Sequence, residues 1–552
     1  MVVGSECFEG IWRLPKKGSK VVLVYDYFTR EILGTLFERT ELCAYDINQS
    51  YNLEDDDDYR IPSPDQPAIY FLKPTIRNVE MIISDASISR YKSFHCCFSS
   101  PIPYYLARYL ASRPSGHSTI HVHNNHFLEF VTLREDLFFL VPDNPKLNTK
   151  SFSLQLNDPT ATPSDIELVI DKIATGLFSV LSTLDVVPFI TCPPGGDAQK
   201  VASLLDQRLR HHLQLLGHTN FLFSDSNRRP LLCLFDRNFE LSVAIQHDFR
   251  YAPLVQDVFA PTSNRVTVQG QTIALEGDDF FWTANGSADF SAIAAKLDAQ
   301  AIKYIHDAQQ PCTHDWIDSL KWPPPLPDVM ARMPNLLALK YLTNIHTDIE
   351  NALRLEVTQR SLDYFAGKEC QMMVRGGGGI DFDDLLDALR RKGNKMDRLR
   401  FAIMFLLSTD SIPQLQVDQV ESALQDSEID TSAFQYVKKL KSLNAALVKN
   451  RGHDKSSAMA EMVEALMEGP EIESGYLMFD PKSNSAAATS PNKKGGTFKD
   501  AIVFVVGDGN YAEYEYLQEL ANRGQQPRKR IIYGSTEILS GGEFIEQLTL
   551  LR

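Results

Sequence analysis

The sequence predicts an α/β fold in which blocks built on parallel sheets flank a largely helical stretch. Three observations carry this reading. Apolar runs that are continuous rather than alternating, such as VVLVYD (Val21 to Asp26), signal strands covered on both faces. Helical patterns follow these runs, and strand–helix–strand alternation is the mark of doubly wound α/β layers. From about Asp279 to Met467, by contrast, apolar residues recur at helical spacing.

Taken in order, the first strand leads into a helix patterned by Ile32, Leu33, Leu36 and Phe37. An acidic loop, Glu54 to Asp58, precedes AIYFL (Ala68 to Leu72), which closes a first βαβ unit. A second buried strand, PLLCLFD, ends at Asp236. In the helical stretch, Leu342, Ile345, Ile349 and Leu353 share one face, and further helices are expected over Phe382 to Arg391 and Met396 to Leu407. KWPPPLP at 321–327 reads as a stiff extended spacer, RGGGG at 375–379 as a flexible break, and 483–496 as a mobile loop. The end returns to α/β: AIVFVVGDGN, a helix from Tyr511, and a strand at RIIYG. Two strands and two helices are too few to stand alone, so they are expected to complete the sheet of the second α/β block.

With 552 residues, 43% of them hydrophobic, the chain can bury several cores, about three or four domains by length. A formal charge of −16 argues against a nucleic-acid scaffold, which needs a basic surface. Eight cysteines contain no C-x-x-C pair, and only Cys96 and Cys97 are close neighbours, the pattern of reduced thiols. The start has no apolar core of signal-peptide length, and apolar runs such as Phe401 to Leu407 fall far short of the ~20 residues of a membrane span. The expectation is a cytoplasmic protein that meets membranes through partners.

Several motifs invite a catalytic reading. Gly507-Asp508-Gly509-Asn510-Tyr511-Ala512 follows a strand, opens a helix and fits G-x-G-x-x-A, so a nucleotide- or phosphate-binding α/β enzyme using this turn is the alternative. Against it, the next strand ends Ile531-Ile532-Tyr533-Gly534, without the acidic residue that would hold a ribose. Asp26 and Asp236 end strands as an aspartate nucleophile would, yet neither has a second aspartate two positions on, so caps or ion pairs are the better reading. His121 and His123 would share a strand face within the cluster His117, His121, His123 and His126, but no cysteine completes a zinc set. Asp55 to Asp58 lacks the ligand alternation of a calcium loop. No catalytic constellation, cofactor site or metal site is expected.

Five ordered segments point elsewhere: VVLVYD with its Ile32-Leu33 helix; PDQPAIYFLKPT (Pro64 to Thr75); PLLCLFDRNFEL continuing into His247, Tyr251, Leu254 and Asp257; MARMPNLLALKYLTNIHTDI; and FDPK, AIVFVVGDGNYAEYEYL, RIIYGSTEIL and EFIEQL at the end. Together they resemble the SM (Sec-one/Munc-eighteen) family of SNARE regulators, most closely its Sly-one branch. The resemblance implies a three-domain arch with two parallel-sheet α/β domains and a largely helical third. Its divisions are expected at 1–140, at 141–258 with 474–552, and at 259–473. It implies no enzyme, but a monomer that binds a Qa-SNARE (syntaxin) and promotes SNARE assembly in ER–Golgi transport, recruited peripherally to those membranes. The syntaxin N-terminal peptide is expected in a pocket of Leu106, Ala107, Leu110, Ala111 and Ile120, a small alanine beside aliphatics leaving room for an aromatic anchor. SNARE helices are expected on a long hairpin carrying Met333, Pro334, Leu337 and Lys340. A lid loop of that branch corresponds to Lys449 to Ser457, shorter here, so lid-type autoinhibition is not expected.

Overall fold

The computed structural model describes residues 11, 20–37, 39–55, 60–112, 119–123, 127–142, 151–216, 229–261, 264–275, 279–309, 326–373, 380–408, 411–443, 457–469, 475–483, 497–523 and 528–551. The glycine run at 375–379, most of the 483–496 segment, Asp56 to Asp58, His117, His126 and 449–456 lie outside them.

Strands β1 (Val21–Tyr25), β2 (Ile47–Asn52), β3 (Ser63–Leu72), β4 (Tyr91–Phe98) and β5 (Thr119–His123) form a parallel sheet in the order β2-β1-β3-β4-β5. The continuous apolar run of β1 has a direct cause. Val22 and Val24 enter the core on one face of the sheet, Val21 and Leu23 the core on the other. Helices α1 (Tyr27–Leu36), α2 (Ile76–Ser87) and α3 (Tyr104–Ser112) cover it.

The second sheet has seven strands: β6 (Phe130–Arg134), β7 (Leu137–Leu140), β8 (Phe189–Cys192), β9 (Leu231–Asp236), then, beyond the hairpin β10 (Arg265–Val268) and β11 (Gln271–Ala274), β12 (Leu477–Phe479), β13 (Asp500–Gly509) and β14 (Arg530–Ile538). Their order is β12-β8-β9-β13-β14-β7-β6, so β13 and β14 occupy the centre. β13 repeats the logic of β1: Ala501, Val503 and Val505 face one core, and Ile502, Phe504 and Val506 the other. Helices α4 (Pro163–Thr183) and α5 (Asp197–Leu216) pack on the second of these faces. The boundary expected at 140 is corrected here. β6 and β7 form an antiparallel hairpin whose β7 pairs with β14, so residues 130–140 belong to the second sheet. Val131 still reaches the core beneath α1, and this joins the two sheets.

After α6 (Tyr251–Phe259) and α7 (Ile293–Gln309), the chain forms α8 (Leu326–Arg360), about 50 Å of helix at 1.5 Å per residue. It already includes Leu326 and Pro327, which the extended-spacer reading had placed outside it. Next come α9 (Leu362–Met373), α10 (Phe382–Arg390), α11 (Lys395–Ser408), α12 (Gln414–Asp426) and α13 (Ser432–Leu443). The other four pack around α11, whose Phe401, Ile403, Met404 and Leu407 are buried on all sides, as befits a central helix. α14 (Ala458–Glu468) and α15 (Tyr511–Asn522) lie against the second sheet. α16 (Gly541–Leu550) sends Phe544, Ile545 and Leu548 into the helical core. No helix among the described residues is long and apolar enough to cross a membrane.

A buried charge cluster ties the helical part to the second sheet. Arg360, at the end of α8, donates two hydrogen bonds to Asp397 of α11, at 2.9 and 2.6 Å. His247 lies between Glu369 (2.8 Å) and Asp397 (3.3 Å) and stacks on Phe365. Burial and Arg400 act to lower the His247 pKa, but the two carboxylates outweigh them and hold it raised. Burial would raise Asp397, yet hydrogen bonds from Arg360 and His247 keep its carboxyl well below the usual range. Arg400 donates to the carbonyls of Ile245 (2.7 Å) and Gln246 (2.8 Å) and grips both oxygens of Asp257 (2.9 and 2.8 Å). Gly541 opens α16 here because a β-carbon would strike the Arg400 guanidinium. Breaking a buried pair leaves a charge uncompensated, so Asp397→Ala is expected to cost about 3–5 kcal/mol. Chemical denaturation of wild type and variant at neutral pH measures it.

Candidate partner-binding surfaces

Helix α3 does not present all five residues of the expected peptide pocket. Leu106 and Leu110 point inward, 1% and 4% exposed, into the core shared with Phe94 and Tyr70. As surface contacts they are therefore corrected. Ala107 and Ile120 are half-buried and Ala111 is exposed. Of the residues α3 turns outward, Tyr104, Arg108 and Ala111 with the half-buried Ala107 are spaced three and four apart and so on one face, with Tyr104 78% exposed, and Tyr105 (62%) is exposed beside them. Ile120 packs against the same core as Leu106, and alternation along β5 puts the exposed Val122 on the same side of the sheet. Tyr104, Arg108 and Val122 went unnoticed in the sequence. Their signal was a helix with one apolar stripe too narrow to account for its aromatics.

Helix α8 runs through Met333 and Pro334 without a break, so Pro334 is not the first residue of a helix. Ile345, Ile349 and Leu353 are buried in the large core, while Leu342 is half-buried. His346 is fully buried. It shares hydrogen bonds with the Tyr251 hydroxyl and the Asp279 carboxylate, both at 2.8 Å, and so pins the middle of the helix. Nearer the N-terminal end, Leu337 (58%), Lys340 and Tyr341 (65%) are exposed. Met333, Leu337 and Tyr341 are spaced by four, in one row along the helix. α7 packs alongside, with Gln300 donating to Thr343 at 3.2 Å. The described part of this surface is thus an anchored helix with Leu337 and Tyr341 open to solvent.

The strand-end acids turn out to be caps. Asp26 accepts from the Thr29 amide (2.8 Å), the Lys73 amide (2.8 Å) and Asn78 Nδ2 (2.7 Å), so its carboxylate is fully engaged. Asp236 accepts from the Ala198 amide at 2.8 Å, and its carboxylate fills the space a β-carbon at Gly196 would need. It takes the place at the start of α5 where an anion would otherwise sit.

The glycine turn is filled by protein. Gly507 adopts φ +127°, and a β-carbon there would lie 2.7 Å from Cβ of Arg237. One at Gly509 would collide with the Tyr533 hydroxyl. The amides that open α15 are occupied: Tyr511 N donates to Gln256 and Glu513 N to Asn510, both at 2.8 Å. Arg237 donates to the Asp508 carbonyl (2.6 Å) and pairs with Glu513. No pyrophosphate can approach this turn, so the dinucleotide reading is withdrawn. His95 joins His123 (3.3 Å) and stacks on His121, and burial together with the neighbouring rings lowers its pKa to about 4. Among the described residues, no group of three or more potential ligands could hold a metal.

The profile described as "Sec1 family" matches residues 21–547. "SEC1 family transport protein SLY1" of Arabidopsis thaliana is 42% identical, over 96% of this chain and 91% of its own length. "Protein SLY1" of Saccharomyces cerevisiae is 26% identical over 96% and 90%. Among solved structures, Sly1p in complex with an N-terminal peptide of Sed5p superposes with a TM-score of 0.77 at 24% identity, covering 100% of this chain and 94% of that one. Vps45 in complex with the Qa SNARE Tlg2 superposes at 0.78 and 17% identity, over 99% and 97%. The fold is that of these proteins.

Asp508 and Glu537 meet in a buried site beside the glycine turn. Burial raises the pKa of both, and Asp508 is raised further by the nearby Glu537, while the Phe152 amide steadies the Glu537 carboxylate. The native state thus binds a proton that the unfolded chain releases near pH 4, and stability falls as pH rises above that value. Asp508→Asn removes the demand. It is expected to raise the melting temperature at pH 8 by about 2–4 °C, with the gain shrinking toward pH 4. Thermal scans across that range check it.

Proposed function

The chain belongs to the Sec1 family, and from that premise we propose that it binds a Qa-SNARE of the syntaxin type and promotes SNARE complex assembly in ER–Golgi transport. The observation that carries this is the match across 21–547, together with a transport protein 42% identical over nearly the whole chain. The protein makes and breaks no bonds; it holds helices. Three domains divide this work: a first α/β domain, a second α/β domain that includes 474–552, and a helical domain over 259–473. The first of them ends ahead of β6 rather than at 140, because β6 and β7 pair in the second sheet. The protein is a monomer in the cytoplasm and reaches ER and Golgi membranes through its partners.

The outer face of α3 takes the syntaxin N-terminal peptide: Ala107 and Ala111 leave space for an aromatic anchor, Ile120 borders it, and Leu106 and Leu110 hold the helix from within. The row Met333, Leu337 and Tyr341 on α8, with Pro334 and Lys340 beside it, takes SNARE helices. Nucleating a four-helix bundle demands that several chains be ordered together. A helix that aligns two of them lowers that entropic barrier, and a tethered peptide raises the local concentration of the syntaxin that carries it. Relatives support the pairing of partners: Sly1p was solved with a Sed5p N-terminal peptide, and Vps45 with the Qa SNARE Tlg2.

Ala111→Glu tests the peptide site without touching the core, because Ala111 is exposed whereas Leu110 is not. Burying an aromatic anchor is worth ~2 kcal/mol, so affinity for a syntaxin N-terminal peptide is expected to fall about thirtyfold with the melting curve unchanged. Unaltered affinity would discard this face.

A further inference from the structure

The turn between α10 and α11 stands out in a chain of net charge −16. Within six residues it carries Arg390, Arg391, Lys392 and Lys395, all exposed. Lys395 is used internally: it donates to the Glu428 carbonyl at 2.8 Å and lies 3.7 Å from the Glu428 carboxylate. Arg391 spreads over the Tyr364 ring, 5.8 Å from its centroid, and Lys368 approaches the same ring at 5.9 Å. Arg390 and Lys392 pair with no carboxylate among the described residues. Helix electrostatics account for one of these charges, since a cation at the last residue of α10 complements the helix dipole. They do not account for Lys392, which stands ahead of the positive end of α11, where a cation is disfavoured.

We propose that this basic turn is a docking surface for an anionic lipid bilayer. The choice of occupant rests on charge and on what the patch lacks. Among the described residues, no large apolar side chain is exposed between Leu355 and Leu415. A protein segment bound here would thus have no apolar anchor of the kind that concentrates binding energy. A bilayer surface needs none, because a few arginines and lysines suffice for weak attraction to acidic headgroups. Asp387, one turn before Arg390 and Arg391, and Glu428 beside Lys395 offset part of this charge. Carboxylates beyond about 8 Å are screened at physiological salt, so the excess of Arg390, Arg391 and Lys392 sets the local field. Contact of this strength is reversible, and it orients the protein on a membrane to which partners have already brought it.

The full chain, without any SNARE, is floated with vesicles of phosphatidylcholine alone and with vesicles containing about 30% phosphatidylserine. Expected is a roughly hundredfold preference for the acidic vesicles, falling steeply with salt, and its loss in the R390E/R391E/K392E variant with unchanged circular dichroism. Equal binding to both vesicles overturns the proposal, as does wild-type binding by the variant. Tighter binding to a soluble polyglutamate peptide than to acidic vesicles overturns it too, since a protein segment is then the better partner.

Discussion

The geometry of this protein depends on charges buried where three parts of the chain converge. Arg400 reaches from the helical core to the carbonyls of Ile245 and Gln246 and to Asp257, while Asp397 beside it takes Arg360 and His247. Such contacts are directional, unlike apolar packing, and a displaced partner would leave a bare charge in a low-dielectric interior. The end of α8 is therefore fixed relative to the second sheet. The middle of the same helix is fixed again through His346, Tyr251 and Asp279. A helix held at two points along its length has a fixed direction, which suits the template proposed for other helices.

The strand ends of this α/β scaffold are occupied by its own side chains. The carboxyl ends of parallel strands are where such folds usually place ligands. Here those positions are spent on the protein itself. Asp26 and Asp236 cap neighbouring segments, and the glycines at 507 and 509 admit Arg237 and Tyr533. The surfaces proposed for partners lie on helix faces, α3 and α8, away from the strand ends.

Much of this was legible in the sequence, and the exceptions have physical causes. β1 and β13 were readable because burial on both faces forces unbroken apolar runs. The buried face of α8 was readable at Ile345, Ile349 and Leu353 because helical spacing leaves a strong trace. The β6–β7 hairpin was not, since strands of five and four residues carry little periodicity and their sheet is chosen by β14, which lies far along the chain. Leu106 and Leu110 were misplaced for a related reason. An apolar stripe reveals that one side of a helix is covered, but not whether a sheet or a partner covers it. Nothing local distinguishes Ala111, facing solvent, from Leu110 beside it, facing the sheet.

The position of β13 bears on how the chain comes to be folded at all. Leu231 of β9 pairs with Ala501, so the middle of the second sheet stays open while the entire helical segment is being synthesised. During translation at about 5–20 residues per second, β9 waits with an apolar edge unpaired for a time on the order of fifteen seconds to a minute. The helical segment, rich in local contacts, has ample time to assemble first. The ribosome thus sets an order of events: helices early, central strands last. The interval between them is when this polypeptide most needs a chaperone.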